Sequence, residues 1–164
     1  MSIEQTIAAL EARLRVAEDY LAILNLLNTY GPLVDSCSSE DVVGLWVEGG
    51  GYNYTRPGGG DGRLEAPAGL LTLYGSEPHR EMVATGSAHI TLTPKISIEG
   101  DDAQAVGYSM VVEREGKRWF VERASVNHWT LKRTAEGWRI LERFNRTLTG
   151  SAESHEVMRR VLNI

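Results

Sequence analysis

The chemistry this sequence offers most plainly rests on His89, Asp35 and Tyr30. His89 stands near the start of GSAHITLTPKISIEGDDAQAVGYSMVV (residues 86–112), which has the pattern of β-strands around a turn at Gly100-Asp101-Asp102. A neutral imidazole can accept a proton at pH 7, because its ordinary pKa is about 6.5. It becomes a useful base when an acid fixes its tautomer and a pocket shields it. Asp35, after the first helical segment, is the acid placed to be that partner. Together they would remove a proton beside a leaving group, so that hydroxide or halide departs or a double bond shifts. Such a reaction calls for no cofactor. Tyr30 would lend its hydroxyl to a departing oxygen or an enolate.

Each of these residues also has a plain structural reading. His89 could be a histidine bonded within the sheet, Asp35 a turn residue after Gly31-Pro32, and Tyr30 a buried tyrosine with one satisfied hydroxyl. Strand alternation sharpens the question. His89 falls with Thr85, Ser87, Thr91 and Thr93, while Ile90, Leu92, Ile96 and Ile98 form the apolar face. If that apolar face lines the pocket, His89 points away from it. A bulge near Pro94 would reverse the phase.

The last strand carries a further candidate. By alternation Arg146 shares a face with Trp138, Ile140, Phe144 and Leu148, and Arg143 falls opposite with Arg139 and Leu141. An arginine among apolar residues needs a partner, since burying its charge alone is expensive. For Arg146 that partner would be a substrate oxygen or a structural acid. Trp46, Tyr54, Tyr108 and Trp129 are the aromatics expected to help line a pocket for a ring-shaped ligand. His79 and His155 read as solvated. No His, Asp or Glu group has metal-ligand spacing, so no metal is expected.

The elements that must position these groups are legible in turn. Ile3, Ile7, Leu10, Leu14, Ala17, Leu21, Leu24 and Leu27 recur at helical spacing, which predicts an amphipathic helix from Ser2 to about Val34. Ser2 and Gln5 form a capping box, and Gly31-Pro32 is expected to disturb the helix end. A second helix is expected from Ser38, with Val42, Leu45 and Trp46 inward and Gly49-Gly50-Gly51 ending it. Short strands follow at Tyr52–Thr55 and Arg63–Glu65 around a glycine-rich loop, Arg56 to Gly62. This loop lacks a following helix with Lys-Ser/Thr and is not a phosphate loop. A short helix is expected at 67–74 and a second helical piece or loop at 77–82, then strands at about 85–99, 102–115, 118–133 and 137–149, and a last helix at 151–162 with Val157, Val161 and Leu162 on one side. Short turns between consecutive strands imply an antiparallel meander. Helices against one such sheet make an α+β layer arrangement, here a cone-shaped curved sheet enclosing a cavity. Pro94 and Gly107 are the candidate bend points.

The totals agree with one soluble domain over residues 1–164. Hydrophobic residues are 42%, charged residues 24% and the net charge is −5. An acidic chain with scattered histidines has no basic footprint for nucleic acid and no attraction to anionic membranes. The lone cysteine, Cys37, cannot form an internal disulfide. With no apolar leader and no long apolar run, the cytoplasm is the expected location.

The order of pieces resembles the nuclear transport factor 2-like superfamily, and within it the SnoaL-like group. Four stretches carry the likeness: YGPLVDS, SEDVVGLW, AHITLTPKISIEGDDAQAVGY and WTLKRTAEGWRILERFNRTLTG. The local pattern looks closest to scytalone dehydratase, bile acid 7α-dehydratase and hexachlorocyclohexane dehydrochlorinase. The resemblance implies a mixed, cystatin-like α+β barrel. It also implies catalytic positions at Tyr30, Asp35, His89 and Arg146. Ser125 and Asn127 look like a Ser-x-Asn pair that holds substrate in the first of those enzymes. The implied activity is a cofactor-independent lyase or isomerase acting on a hydrophobic, cyclic small molecule. The alternative is a non-catalytic binding protein of the same fold. A homodimer or homotrimer is the expected assembly, because such single-domain cones pair through their sheets.

Overall fold

The computed structural model describes residues 1–56 and 58–162. The side chains of Arg160 and Val161 lie outside the described residues, so the expected inward side of the last helix is seen only at Val157 and Leu162. Helix α1 (Ile3–Asp35) is followed by α2 (Ser39–Val43), β1 (Trp46–Thr55), β2 (Asp61–Glu65), α3 (Ala68–Tyr74) and α4 (Glu77–Thr85). Then come β3 (Ser87–Thr91), β4 (Lys95–Glu99), β5 (Asp102–Glu115), β6 (Arg118–Thr134), β7 (Gly137–Thr147) and α5 (Ala152–Leu162). Among the described residues no helix is long and apolar enough to cross a membrane.

The seven strands form one curved, unclosed sheet in the order β2-β1-β7-β6-β5-β3, with β4 also paired to β5. The expected meander is present from β5 to β7. The sheet is nevertheless mixed, because β1 runs parallel to β7. Helices α1 to α3 cover its concave side. Ile23, Leu27, Val34, Val42 and Leu70 from these helices interlock with Ala105, Trp129, Leu131, Trp138 and Ile140 from the strands.

Helix α1 starts as expected, with Ser2 and Gln5 closing the capping box. It does not break at Gly31-Pro32; Pro32 lies within the helix, which continues to Asp35. Proline removes one intrahelical bond, to the carbonyl four residues back. That carbonyl belongs to Asn28 on the exposed side, where water can satisfy it. The expected apolar stripe is also not the one that packs. The residues buried on α1 are Asp19, Ile23, Leu27, Tyr30, Gly31 and Val34, and everything before Asp19 is exposed. Asp19 accepts from Trp138 Nε1 and pairs with Arg133 at the sheet's far end.

Helix α2 is shorter than expected. It stops at Val43, capped by Gly44, and Trp46 opens β1 instead of completing a helical face. The triple glycine therefore belongs to a strand. Between Trp46 and Gly51 the pairing with β7 shifts register.

Strand β3 meets β5 as Thr91 opposite Ser109, whereas β4 meets it as Lys95 opposite Val106. Three residues, 92–94, thus face two, 107–108. This one-residue slip exchanges the faces. Ser87, His89 and Thr91 point to the concave side on β3, and Ile96 and Ile98 do so on β4. Pro94 lies against Gly107, where a side-chain Cβ would come within 3.1 Å of the proline Cα. Ile90 and Leu92 are left exposed on the outer side.

A second slip occurs on β7. Ile140 pairs with Leu131 and Glu142 with Thr130, so Leu141 has no partner across the ladder. Before this bulge Trp138 and Ile140 point inward. After it the inward residues are Arg143 and Asn145. Uninterrupted alternation would have put Arg146 there.

Candidate functional site

Between α1, α3, α4 and the concave side of the sheet lies a cavity of about 420 Å³, within the range usual for small-molecule sites. Its lining includes Tyr30, Tyr52, Tyr54, Tyr74, His79, His89 and Arg143.

His89 reaches this cavity because of the β3–β4 slip. The Asp35 carboxylate accepts from the His89 ring at Nδ1 through one oxygen and from the His89 main-chain N–H through the other, both at 2.7 Å. A carboxylate on Nδ1 fixes the tautomer with hydrogen on that nitrogen and leaves Nε2, which has no hydrogen-bond partner among the described residues, as the basic atom. The pair is well shielded, with side chains 14% and 22% exposed. Gly31 makes this approach possible. A Cβ there would overlap the His89 carbonyl oxygen, so only glycine lets α1 bring Asp35 down onto β3.

Tyr30 shares a 2.6 Å hydrogen bond with Tyr74. Burial pushes the Tyr74 hydroxyl well above its ordinary pKa, and that of Tyr52 up as well. Both stay protonated and available as donors. Arg143 lies against these rings, its guanidinium carbon 4.5 Å from the Tyr30 ring centre and 4.8 Å from that of Tyr52. Nε of Arg143 donates to Asn127 Oδ1, which also accepts from Asn145. Nη1 is buried with no hydrogen-bond partner among the described residues. Burial works against this charge, but the surrounding Tyr30, Tyr52 and Tyr74 outweigh it and hold the Arg143 pKa above the ordinary arginine value. Arg143 is 4% exposed, and no carboxylate among the described residues is bonded to it. A buried cation without an anionic partner is costly. It marks a place where a ligand oxygen would be strongly held.

His79 is not solvated. It is buried at the cavity wall, with Nε2 3.0 Å from the Val34 carbonyl and its ring edge-on to Tyr74. Ser76 caps α4 through the His79 amide, which fixes the ring near His89, 6.1 Å away between centres.

The other expected site residues are distributed differently. Tyr54 lines the cavity. Trp46 and Trp129 are buried in the core, and Asn127 lies behind Arg143 as its support. Tyr108 is half-exposed on the outer side, where its hydroxyl meets Met158 of α5. Arg146 is buried away from the cavity. It donates to Glu153 of α5 and Asp61 of β2, and so fastens the last helix to the sheet. The residues that alternation missed, Arg143 and Asn145, sit after a bulge. Tyr74 and His79 lie on helices too short to show a period.

Among the described residues no group of three or more His, Cys, Asp or Glu side chains is placed to hold a metal ion. A family model described as the SnoaL-like domain matches residues 15–144, most of the chain. The chain belongs to the SnoaL-like domain family. Among solved structures, this SnoaL-like chain is similar to an NTF2-like protein with a cystatin-like fold from Novosphingobium aromaticivorans. The two are 36% identical, with a TM-score of 0.86 over 91% of this chain and 94% of that one. A Catenulispora acidiphila protein in complex with S-DNPA has the same fold at 18% identity and TM-score 0.65, covering 80% of this chain and 94% of its own. A Mycobacterium tuberculosis protein of unknown function does so at 19% and 0.64, covering 93% and 89%. No curated protein matches the chain. The SnoaL-like fold thus places a cavity of small-molecule size between its helices and sheet.

Proposed function

We propose that the protein is a cofactor-independent lyase of dehydratase type, or an isomerase, acting on a hydrophobic cyclic molecule that carries a carbonyl oxygen. The observation that carries this reading is the contact of Asp35 with the ring Nδ1 and the main-chain N–H of His89 at the wall of a cavity that Tyr30, Tyr52, Tyr54 and Tyr74 help to line. His89 Nε2 takes a proton from substrate carbon. The C–H electron pair moves into the adjacent bond as the enolate forms, and Asp35 stabilises the imidazolium. Arg143 and the Tyr30–Tyr74 hydroxyls hold the oxygen on which negative charge collects. In elimination a C–O or carbon–halogen bond then breaks, the leaving hydroxide takes the imidazolium proton and departs as water (a halide departs as the ion, its proton going to solvent), and a C=C bond remains; in isomerisation the proton returns to another carbon. Arg143 replaces Arg146 in this scheme, and Tyr52 and Tyr54 contribute the walls.

The Catenulispora neighbour, of the same fold, is in complex with S-DNPA, which supports a ligand-holding role. The same walls could also hold a ligand without reacting it, and substitution separates the two readings. A panel of cyclic ketones is first screened for stabilisation of the protein, and binders are then followed for loss of water or halide and for solvent deuterium incorporation. Under the catalytic reading His89→Ala abolishes exchange and turnover and Asp35→Asn lowers both by orders of magnitude, while binding persists. Binding without exchange in the native protein would leave the binding role alone.

A further inference from the structure

Every residue from Met1 to Glu18 is exposed, a stretch that takes in roughly the first four turns of α1. A helix that short is marginal in water without packing, yet this one carries a regular apolar seam. Ile3, Ile7, Leu10, Leu14, Ala17, Leu21 and Leu24 alternate steps of four and three, a strict seven-residue repeat over three heptads. Globular helices bury a wider stripe with a period of 3.6. A strict 3.5 repeat is the signature of a two-helix seam.

The seam is not the side that α1 turns to its own sheet. Helical geometry sets it about 150° around the axis from Ile23, Leu27, Tyr30 and Val34. That is why Leu21 is 57% exposed though it lies between the buried Asp19 and Ile23, and why Ile3, Leu10 and Leu14 are 80%, 53% and 58% exposed. The seam from Ile3 to Leu24 is about 33 Å long.

We propose that this seam docks on the same seam of a second copy of the chain, forming a parallel two-stranded coiled coil. Charge argues for a copy in parallel. With Ile7, Leu14 and Leu21 as one core position and Ile3, Leu10, Ala17 and Leu24 as the other, Glu4, Glu11 and Glu18 flank the seam on one side and Thr6, Arg13 and Tyr20 on the other. In a parallel pair, each flanking residue faces the opposite flank of the other helix five positions on. Arg13 then meets Glu18 of the second copy twice, and Thr6 meets Glu11. An antiparallel pair would oppose glutamates to glutamates. A lipid surface fits poorly, because Met1–Asp19 holds four acids and two arginines, whereas surface helices are rich in basic residues.

The full chain is examined by sedimentation equilibrium, with far-ultraviolet circular dichroism for helix content. The expected native mass is that of two chains. Leu10→Glu with Leu14→Glu should give one chain, lower helix content and an unchanged near-ultraviolet spectrum, since both sites are exposed in the single chain. Arg13→Glu should raise the dissociation constant at least tenfold, and adding Glu18→Arg should restore it. In a Cys37→Ser background, Ile3→Cys should form an interchain disulfide under mild oxidation, because parallel pairing sets the two sites side by side. A native monomer would overturn the proposal. So would a dimer indifferent to Leu10→Glu with Leu14→Glu, absent cross-linking at Ile3→Cys, or partition of the native chain onto anionic vesicles in place of self-association.

Discussion

Asp35 grips His89 twice, at the ring and at the main chain, so that the last turn of α1 and the first residues of β3 form one unit. The ring cannot turn without losing a charge-assisted bond, and the strand cannot slide without losing the other. The carboxylate therefore has a positional effect as well as an electrostatic one.

Asp35→Asn separates the two effects. The amide carbonyl can still accept one of the bonds, so the fold should persist while the tautomer control is lost. Turnover should fall about 10²- to 10⁴-fold, with little change in ligand affinity measured by titration calorimetry. Equal loss of binding and turnover would make Asp35 a structural residue only.

Gly31→Ala tests the approach of α1 to β3. The new methyl would meet the His89 carbonyl, and backbone cannot give way as a flexible side chain does. A loss of about 1–3 kcal/mol is expected in urea unfolding, with turnover falling further than stability as Asp35 is lifted from the ring.

The two arginines of β7 should behave oppositely. Arg143→Met removes a buried charge and leaves Asn127 Oδ1 its bond from Asn145, so thermal stability should hold or rise. Affinity for an oxygen-bearing ring ligand should drop at least tenfold, about 1.4 kcal/mol. Arg146→Ala should release α5 and lower stability by about 1–2 kcal/mol while leaving ligand affinity intact.

A pH effect on stability is expected from Asp19. Its hydrogen bonds from Arg133, and next from Trp138, hold the Asp19 carboxyl below the ordinary aspartate value of 3.8 despite burial. A depressed folded pKa contributes stability that is full above the unfolded value and lost as pH falls through the folded one. Unfolding midpoints should decline below about pH 4, and Asp19→Asn should flatten that decline and lower the plateau above it.

Much of this arrangement can be read from the chain. The helix caps, the turns and the polar pair at the end of α1 rest on local chemistry, which sequence displays directly. Facing is harder. On β3 the polar set with His89 is the concave one, and on β7 the inward arginine is Arg143. Both depend on a single unpaired position, at 92–94 and at Leu141, that composition does not mark. The long apolar stripe of α1 misled for another reason. Periodicity reports that a face is apolar, not what covers it, and the stripe against the sheet is a different one. His79 and Tyr74 were hidden because α3 and α4 are too short to reveal a period.

The bulge at Leu141 makes the lining of the cavity a matter of phase. One residue more on β7 before Arg143 exchanges Arg143 and Asn145 for Phe144 and Arg146, while the ladder beyond can keep its bonds. A single codon gained between Ile140 and Arg143 would put Phe144 and Arg146 on the cavity wall, whereas loss of Leu141 would only straighten the strand and keep Arg143 inward. A fold of this kind can thus change what it holds in one step of length, where substitution would take several.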